Sequence, residues 1–431
     1  MKIIPFIFFG IITTGLIVML NSSLVLPAPL GKLLSPQNGL WQNAEPADQD
    51  YSAQLKFPQL KGKVKVYFDE RLVPHVFAED ENDAFFVQGY LHAKFRLWQM
   101  EFQVRAAAGR LSEVIGDKAI EYDRNQRRLG MVYGAENSLR EIEKDPETLT
   151  ECDNYTEGVN AYIESLTENS LPVEYKLLGY QPEKWTNLKS ALFLKYMALE
   201  LAGYERDFEM TNARSIFSSA DFDKIYPIIM DSLDPIVPKG TLFPQAGITL
   251  QIPVSADSLY FNHKHSVVIN TQKPNPDNGS NNWAVSGQKT KSGSPILCND
   301  PHLGLNLPSI WYEMQISTPT YNAYGATFPG APSVIIGFND SCAFGFTNAM
   351  RDVRDYYEIK FKDQTRTEYW FDSAWQPTTF RIEDIKIKGH PDYLDTVAYT
   401  NIGPVMYDRT FSGGRSTNEK NYAVRWKAHD A

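Results

Sequence analysis

The stretch NPDNGSNNWAVSGQKTKSG, residues 275–293, marks a change of character in this 431-residue chain. Before it, the segment from about residue 234 to residue 279 is rich in Pro, Gly and Asn, which is typical of a linker or a removable piece. After it, NWAVSG and PILCND flank QKTKSGS, and this pattern predicts a β-hairpin. Ser280, directly after Gly279, therefore lies where a linker meets a strand.

The residues before this junction predict mainly helices. From Asp83 to Arg110, apolar side chains recur at the three-to-four spacing of one helix face, with Asp83 as the N-cap. Residues 131–165 and 186–217 also predict helices, whereas 62–80 predicts two strands around a turn. Beyond the junction, YNAYGATF, SVIIGF and CAFGFTN predict further strands.

These patterns divide the chain into four parts. We expect a signal or membrane anchor with its linker at 1–35, a mainly helical region at 36–234, a spacer at 235–279 and a strand-rich region at 280–431. The first part contains IIPFIFFGIITTGLIVML, residues 3–20, which is at the short limit for a membrane-spanning helix. We expect an export signal, either removed or retained as an anchor, and a periplasmic or membrane-anchored protein that faces the periplasm.

Composition and motifs exclude several classes of function. The net charge is -10 and there is no long basic stretch, which argues against nucleic acid as a partner. The chain has no G-x-S-x-G motif, so an ordinary serine hydrolase is not indicated. It also has no H-E-x-x-H or C-x-x-C motif, so a zinc site is not indicated.

Ser280 has a different possible base if the chain is cut in front of it. Its own α-amino group would then have a pKa of about 7.7–8.0, which suits a general base near neutral pH. Gly279 lacks a β-carbon and so permits the strained backbone in which a hydroxyl attacks the preceding carbonyl. A Gly-Ser pair is also common in turns, and both interpretations stay open on these two residues alone.

Several blocks of sequence in a consistent order decide between them. They are VPHVFAEDENDAFFVQGYLHAKFRLWQMEFQVRAAAGRLSEVIG (73–116), GSNNWAVSG (279–287), NDPHLGLNLPSIWYEMQI (299–316), YGATFPGAPSVIIGFND (324–340) and AFGFTNAMRDVRDYYEI (343–359). In these blocks the chain resembles the penicillin acylase family of N-terminal nucleophile amidohydrolases, from about residue 64 to its last residue. The resemblance implies an α+β protein with the N-terminal nucleophile hydrolase fold, a four-layer αββα sandwich, and a mainly helical small-chain region.

The resemblance also implies how the site works. The precursor would cut itself between Gly279 and Ser280 and lose the spacer, which leaves a heterodimer of a small and a large chain. Ser280 would then attack the substrate amide and form an acyl-enzyme. The backbone N–H of Asn348 matches one oxyanion donor of the family, and His302 matches a residue that orients the nucleophile's amine. A hydrogen-bonded loop histidine is the alternative for His302.

A structural calcium ion is the cofactor that the resemblance implies. The matching ligands are Asp352, Arg354 through its carbonyl, Asp355 and Glu209 from the small chain, and hard oxygen ligands of this kind suit calcium. Without the resemblance, RDVRD would be interpreted as a solvated charged turn.

Leu303 and Ile336 match positions that line the family's acyl pocket, although ordinary core residues would look the same. Both are aliphatic, which favours an aliphatic acyl group. We therefore expect an amidohydrolase that acts on a small-molecule amide such as a penicillin or an acyl-homoserine lactone. The alternative is a catalytically inactive, calcium-stabilised envelope binding protein. In the family, more large chain follows the block that ends here, so we expect a second oxyanion asparagine beyond Ala431.

Overall fold

The computed structural model describes residues 3–22, 28–46, 48–203, 205–227, 237, 240–242, 275, 277–348, 351–412 and 420–430. Helices dominate before residue 226 and strands after residue 278, so the predicted mixture of helix and sheet is confirmed. The described strands form one sheet of six strands, one of three and three of two. The four-layer sandwich stays a prediction, and most of the predicted spacer 235–279 lies outside the described residues.

The helices of the described residues are α1 (Ile3–Leu20), α2 (Leu30–Leu33), α3 (Glu81–Ala108), α4 (Ser112–Ile115), α5 (Ile120–Leu129), α6 (Met131–Ile142), α7 (Pro146–Ser165), α8 (Val173–Leu178), α9 (Asn187–Ala202), α10 (Asp207–Ile216) and α11 (Ser219–Ile225). The region predicted as one helix over 131–165 is two helices. The break has a local cause, because Asp145 caps α7 by accepting a hydrogen bond from the Glu147 N–H at 3.2 Å, and Pro146 opens the new helix.

The long helix α3 starts three residues earlier than predicted. Its N-cap is Asp80, whose carboxylate accepts from the Asn82 N–H at 2.9 Å, so the prediction of Asp83 as the cap is wrong. Asp83 is buried instead and accepts from the backbone N–H groups of Lys61 and Gly62. The helix ends at Ala108, because the next residue, Gly109, caps it with a positive φ of 63°, a left-handed conformation that glycine allows.

The described strands are β1 (Val64–Phe68), β2 (Pro74–Ala78), β3 (Gly279–Val285), β4 (Ile296–His302), β5 (Tyr312–Ser317), β6 (Asn322–Thr327), β7 (Ile336–Asn339), β8 (Ala343–Phe344), β9 (Arg354–Ile359), β10 (Glu368–Phe371), β11 (Ala374–Pro377), β12 (Thr379–Ile385), β13 (Tyr393–Tyr399), β14 (Val405–Tyr407) and β15 (Asn421–Trp426). The predicted hairpins at 62–80 and after residue 279 are confirmed as β1–β2 and β3–β4.

The two halves of the chain share one sheet and one core. The order of the six-stranded sheet is β1-β2-β5-β6-β7-β8, so the hairpin from the helical half pairs with strands from the second half. β2 runs parallel to β5, and the His75 ring lies 2.7 Å from the Gln315 amide across that pair. The largest apolar core likewise joins Met100 and Phe193 of the helices to Phe328 and Trp426 of the second half.

A buried ionic network also joins the two halves. Arg128 on α5 is fully buried and donates to the Asp395 carboxylate at 2.8 and 2.6 Å and to Asp408 at 3.3 Å. Arg124 donates to Asp395 at 3.1 Å, and Arg366 donates to Asp408. Because every carboxylate here has two guanidinium partners, charges that would be costly alone are compensated inside the protein.

The N-terminal helix α1 stands apart from both cores. Its 18 residues have a mean hydropathy of 2.5, and none of them is buried. Within the described ranges, it is the one helix that is long and apolar enough to cross a membrane. This is compatible with a signal sequence or an anchor.

Candidate active site

The β3–β4 hairpin sets the position of Ser280. Seven residue pairs join the two strands, with Gly279 opposite His302 and Ser280 opposite Pro301. The loop between the strands closes tightly, because a β-carbon on Gly287 would lie 2.2 Å from the Gly293 carbonyl oxygen. The hairpin therefore carries the predicted nucleophile and the predicted histidine side by side at its open end.

The Ser280 hydroxyl lies against the peptide bond that precedes it. Its Oγ donates a hydrogen bond to the Gly279 carbonyl oxygen, and Ser280 is half-buried. We expected strain at Gly279, but this residue has an extended conformation within β3, and a β-carbon there would make only an ordinary contact of 3.4 Å with His302 Nδ1. The hydroxyl thus reaches the carbonyl without left-handed backbone at Gly279.

His302 is oriented by a carboxylate that the sequence analysis did not identify. Its Nε2 lies 2.8 Å from the Asp300 carboxylate and 3.2 Å from the Asn281 amide nitrogen. If Nε2 carries the proton and donates a hydrogen bond to Asp300, Nδ1 is left as an acceptor on the side of Gly279. Asp300 and His302 are two residues apart in one strand and so share a face, a signal that the sequence does contain.

Two asparagine side chains connect the β3–β4 hairpin by hydrogen bonds to the segment that contains Asn348. Asn282 donates to the Gly345 carbonyl at 2.8 Å, and Asn299 donates to the Phe346 carbonyl at 2.9 Å. A β-carbon on Gly345 would lie 2.8 Å from the Asn299 side chain, so glycine allows this close approach. The structure therefore brings the chain just before Asn348, itself half-buried, against the Ser280 hairpin.

The two residues predicted to line an acyl pocket have different surroundings. Leu303 follows His302 and packs against the largest core, as does Ile335. Ile336 is half-buried and lies opposite Ala326 in the β6–β7 pair. Since side chains alternate along a strand, Ile336 shares its face with Phe338, whereas Ile335 faces the core.

Three carboxylates gather where α10 meets the chain around β9. Asp207, Asp352 and Asp355 offer oxygen atoms that all lie within 4.8 Å of one another. Burial raises the pKa of Asp207 to about 7, and the charges of Asp352 and Asp355 add to this, against the hydrogen bond that Asp207 accepts from the Tyr356 N–H. Burial, and then the charge of Asp352, also raise the pKa of Asp355. Carboxylates this close repel one another unless a cation or protons compensate them.

Two of the four predicted calcium ligands, Asp352 and Asp355, belong to this group, Glu209 does not, and the Arg354 carbonyl stays a prediction. Glu209 is exposed on α10 and is not a member of the group; Asp207, two residues earlier, is. Residues two apart on a helix do not face the same way, so the register of α10 decides between them. The Arg354 side chain is buried and donates to the Gly203 carbonyl at 3.1 Å and to Glu205 at 3.2 Å, so Glu205 compensates its charge.

Comparisons with known proteins agree with the resemblance in the sequence. The family model described as penicillin amidase matches residues 63–431. An acyl-homoserine lactone acylase, QuiP of Pseudomonas aeruginosa, is 32% identical over 328 residues, which are 75% of this chain and 38% of that protein. The penicillin acylase 2 proenzyme of Pseudomonas sp. (strain SE83) is 28% identical over 368 residues, 85% of this chain and 46% of that protein.

A solved structure is also similar. The thermostable penicillin G acylase of Alcaligenes faecalis has 27% sequence identity and a TM-score of 0.29, over 35% of this chain and 25% of that one. The present chain spans less than half the length of each of the two curated relatives named in the preceding paragraph.

Proposed function

Because this chain belongs to the penicillin amidase family, we propose that it is an amidohydrolase that removes an acyl group from a small-molecule amide. The observation that carries the proposal is the placement of the Ser280 hydroxyl against the Gly279 carbonyl, at the end of a hairpin whose other strand presents His302. We assign the N-terminal nucleophile chemistry and the four-layer fold of that family to the protein on the same basis.

The first reaction is a cut within the chain. The Ser280 hydroxyl attacks the Gly279 carbonyl carbon, the peptide C–N bond breaks, and the acyl group passes from nitrogen to oxygen as an ester. Water then hydrolyses the ester and leaves Ser280 with a free α-amine. We propose that His302 Nδ1, which would lie 3.4 Å from a β-carbon on Gly279, accepts a proton during this attack.

The second reaction uses the new α-amine as the base. It accepts the Ser280 proton while the oxygen attacks the substrate carbonyl, and the backbone N–H of Asn348 stabilises the oxyanion. The tetrahedral intermediate releases the amine product and leaves an acyl-enzyme, which water hydrolyses to the free acid. Asp300, by holding Nε2 of His302, keeps that ring in place beside the amine.

We propose an aliphatic acyl group as the substrate's acyl part. Leu303 and Ile336 are the residues assigned to the acyl pocket, and both are aliphatic. Acyl-homoserine lactones and penicillins with aliphatic side chains both meet this requirement, and the relatives named above are by name an acyl-homoserine lactone acylase and a penicillin acylase. The helix α1 supports export, with the enzyme free in the periplasm or anchored by that helix.

The cut predicts a defined new N-terminus. We expect the protein to be isolated as two chains, with Ser280 as the first residue of the larger one. Denaturing gel electrophoresis and N-terminal sequencing of the large chain measure this directly. A large chain that starts at another residue would remove the proposed base and contradict the mechanism, whereas an uncut protein would support an inactive binding protein.

We propose that Asp207, Asp352 and Asp355 hold a structural calcium ion between the two halves of the chain. Carboxylate oxygens are the ligands that calcium prefers, and the raised pKa of Asp207 fits a site that a cation completes. The ion would supply positive charge that compensates the three carboxylates, and it would tie α10 to β9. It takes no part in the chemistry at Ser280.

Calcium should therefore stabilise the protein more at pH 8 than at pH 5.5. The pKa of Asp207 is about 7 in the folded chain and lower when unfolded, so without the ion stability is lost as pH rises through 7. Calcium replaces the proton of Asp207 and offsets this loss. Thermal melts with calcium or with a chelator, at both pH values, measure the difference.

Two variants make this measurement specific. Asp207→Asn should abolish the calcium-dependent shift in melting temperature, whereas Glu209→Gln, a matched change two residues away on α10, should keep it. A shift that survives Asp207→Asn and disappears with Glu209→Gln would restore the ligand set expected from the sequence.

A further inference from the structure

The turn between β6 and β7, residues 328–335, is held by side chains from the helical half of the chain. Gln88 on α3 makes two hydrogen bonds to the backbone of Ser333. Its Nε2 donates to the Ser333 carbonyl at 3.1 Å, and its Oε1 accepts from the Ser333 N–H at 2.9 Å. Tyr155 on α7 accepts a hydrogen bond from the Gly330 N–H at 2.9 Å. Gln88 and Tyr155 are both fully buried.

A chain of hydrogen bonds orients the Tyr155 hydroxyl. Thr327 donates to the Tyr312 carbonyl at 2.6 Å, so its oxygen accepts from His92 Nε2 at 2.9 Å. His92 Nδ1 is then the acceptor for Tyr155, at 2.9 Å. Burial lowers the pKa of His92 to about 3, so the ring is neutral and the direction of the chain is fixed.

Close contact of two helices makes this arrangement possible. A β-carbon on Gly89 would lie 2.1 Å from the Tyr155 carbonyl oxygen, and one on Gly158 would lie 1.8 Å from the Phe86 carbonyl oxygen. Only glycine allows α3 and α7 to approach at these two points. Tyr155 therefore lies directly beside the helix face that carries Gln88 and His92.

The turn itself has an unusual backbone. Ser333 has a φ of 73°, in the left-handed region that residues with a side chain rarely adopt, and Gly330 has a φ of 126°. A conformation of this kind persists where the surroundings fix it, and Gln88 fixes both backbone groups of Ser333. Strain held in this way is common beside functional sites.

The conformation of the 328–335 turn sets the directions in which the side chains of Ile335 and Ile336 point. Ile335 packs against the core, and Ile336, assigned above to the acyl pocket, lies on the opposite face. A slip of one residue in the turn would exchange the two, because side chains alternate along a strand. We propose that Gln88 and Tyr155 are positioning residues that set the acyl-chain selectivity of the Ser280 site by fixing the 328–335 turn. This inference rests on the proposed function.

The test compares two substrates in the complete natural chain. Tyr155→Phe removes one hydroxyl and keeps the ring, and Tyr162→Phe is a matched control on the same helix. The readout is the ratio of kcat/KM for the p-nitroanilides of decanoic and butyric acid. Tyr155→Phe should change this ratio by roughly tenfold, the scale on which a hydrophobic pocket distinguishes one methylene. Tyr162→Phe should leave it unchanged.

A merely structural role for Tyr155 would lower both kcat/KM values together and leave the ratio as in the wild type, which would overturn the inference. Hydrogen exchange of the wild-type protein gives a second measurement that needs no variant. The amides of Gly330 and Ser333 should exchange as slowly as those in the middle of α3, and rapid exchange would also overturn the inference. A wild type that hydrolyses neither anilide would instead count against the proposed function, while the exchange result would still decide whether the turn is fixed.

Discussion

Ser280→Ala in the complete natural chain is expected to give a single uncut polypeptide that hydrolyses no amide. Both reactions assigned to the protein use the same oxygen atom, first on the Gly279 carbonyl and then on the substrate. Removing a nucleophilic serine costs on the order of a millionfold in kcat in a well-studied protease. The loss here should be of that size, because the same change also withholds the α-amine that acts as the base.

The measurement needs a control for the hairpin. Ser286→Ala changes a serine in the same hairpin whose hydroxyl caps a short 3₁₀ turn, so it should be cut normally and remain active. Gel electrophoresis reports the cut, and a chromogenic acyl amide reports hydrolysis. Normal processing of the Ser280→Ala variant would show that another nucleophile or a host protease makes the cut.

Arg128→Met is expected to produce the largest loss of stability. Arg128 is fully buried and makes four hydrogen bonds, two to Asp395 and one each to Asp408 and Thr410. Burial by itself would raise the pKa of Asp395, but its hydrogen bonds and the charges of Arg128 and Arg124 hold that pKa below its ordinary value. Without Arg128, the buried carboxylates of Asp395 and Asp408 each lose one of their two guanidinium partners.

Breaking a buried ion pair by removing one partner costs about 3–5 kcal/mol. We expect the melting temperature to fall by several degrees, as measured by thermal unfolding of the uncut Ser280→Ala background, where a single chain unfolds. Lys144→Met is the control, because Lys144 pairs with Glu141 in solvent and should cost no more than about 0.5 kcal/mol. Equal melting temperatures for both variants would mean that the buried network contributes little to stability.

The sequence predicted the parts of the site that depend on neighbouring residues. The β3–β4 hairpin was predicted because its strands and turn are continuous in sequence, whereas the proximity of Ser280 and His302 was implied by the resemblance to the acylase family. Asp300 could have been added from the alternation of side chains along a strand. The N-cap of α3 was missed by three residues, since Asp80 and Asp83 are equivalent by type and only the contacts of Asp83 with the 61–62 backbone distinguish them.

Contacts between distant segments could not be predicted in this way. Asn282 and Asn299 bind carbonyls 63 and 47 residues further along, and a local pattern contains no information on such a distance. The same limit applies to Asp207 and Glu209, because the register of α10 against β9 selects between them. The hydrogen bonds between Gln88 and the Ser333 backbone likewise join residues that are 245 positions apart in the sequence.

The parallel pairing of β2 with β5 has a consequence for how the protein folds and whether it can refold after the cut. In the uncut chain these strands meet within one polypeptide, where tethering gives an effective concentration that is in the millimolar range for short flexible linkers. After a cut at Gly279–Ser280 and loss of the spacer, the same strands would belong to separate molecules and would meet only by diffusion. Assembly would then be a one-way event: the protein folds as one chain, persists as two, and once unfolded has lost the tether that first brought the strands together.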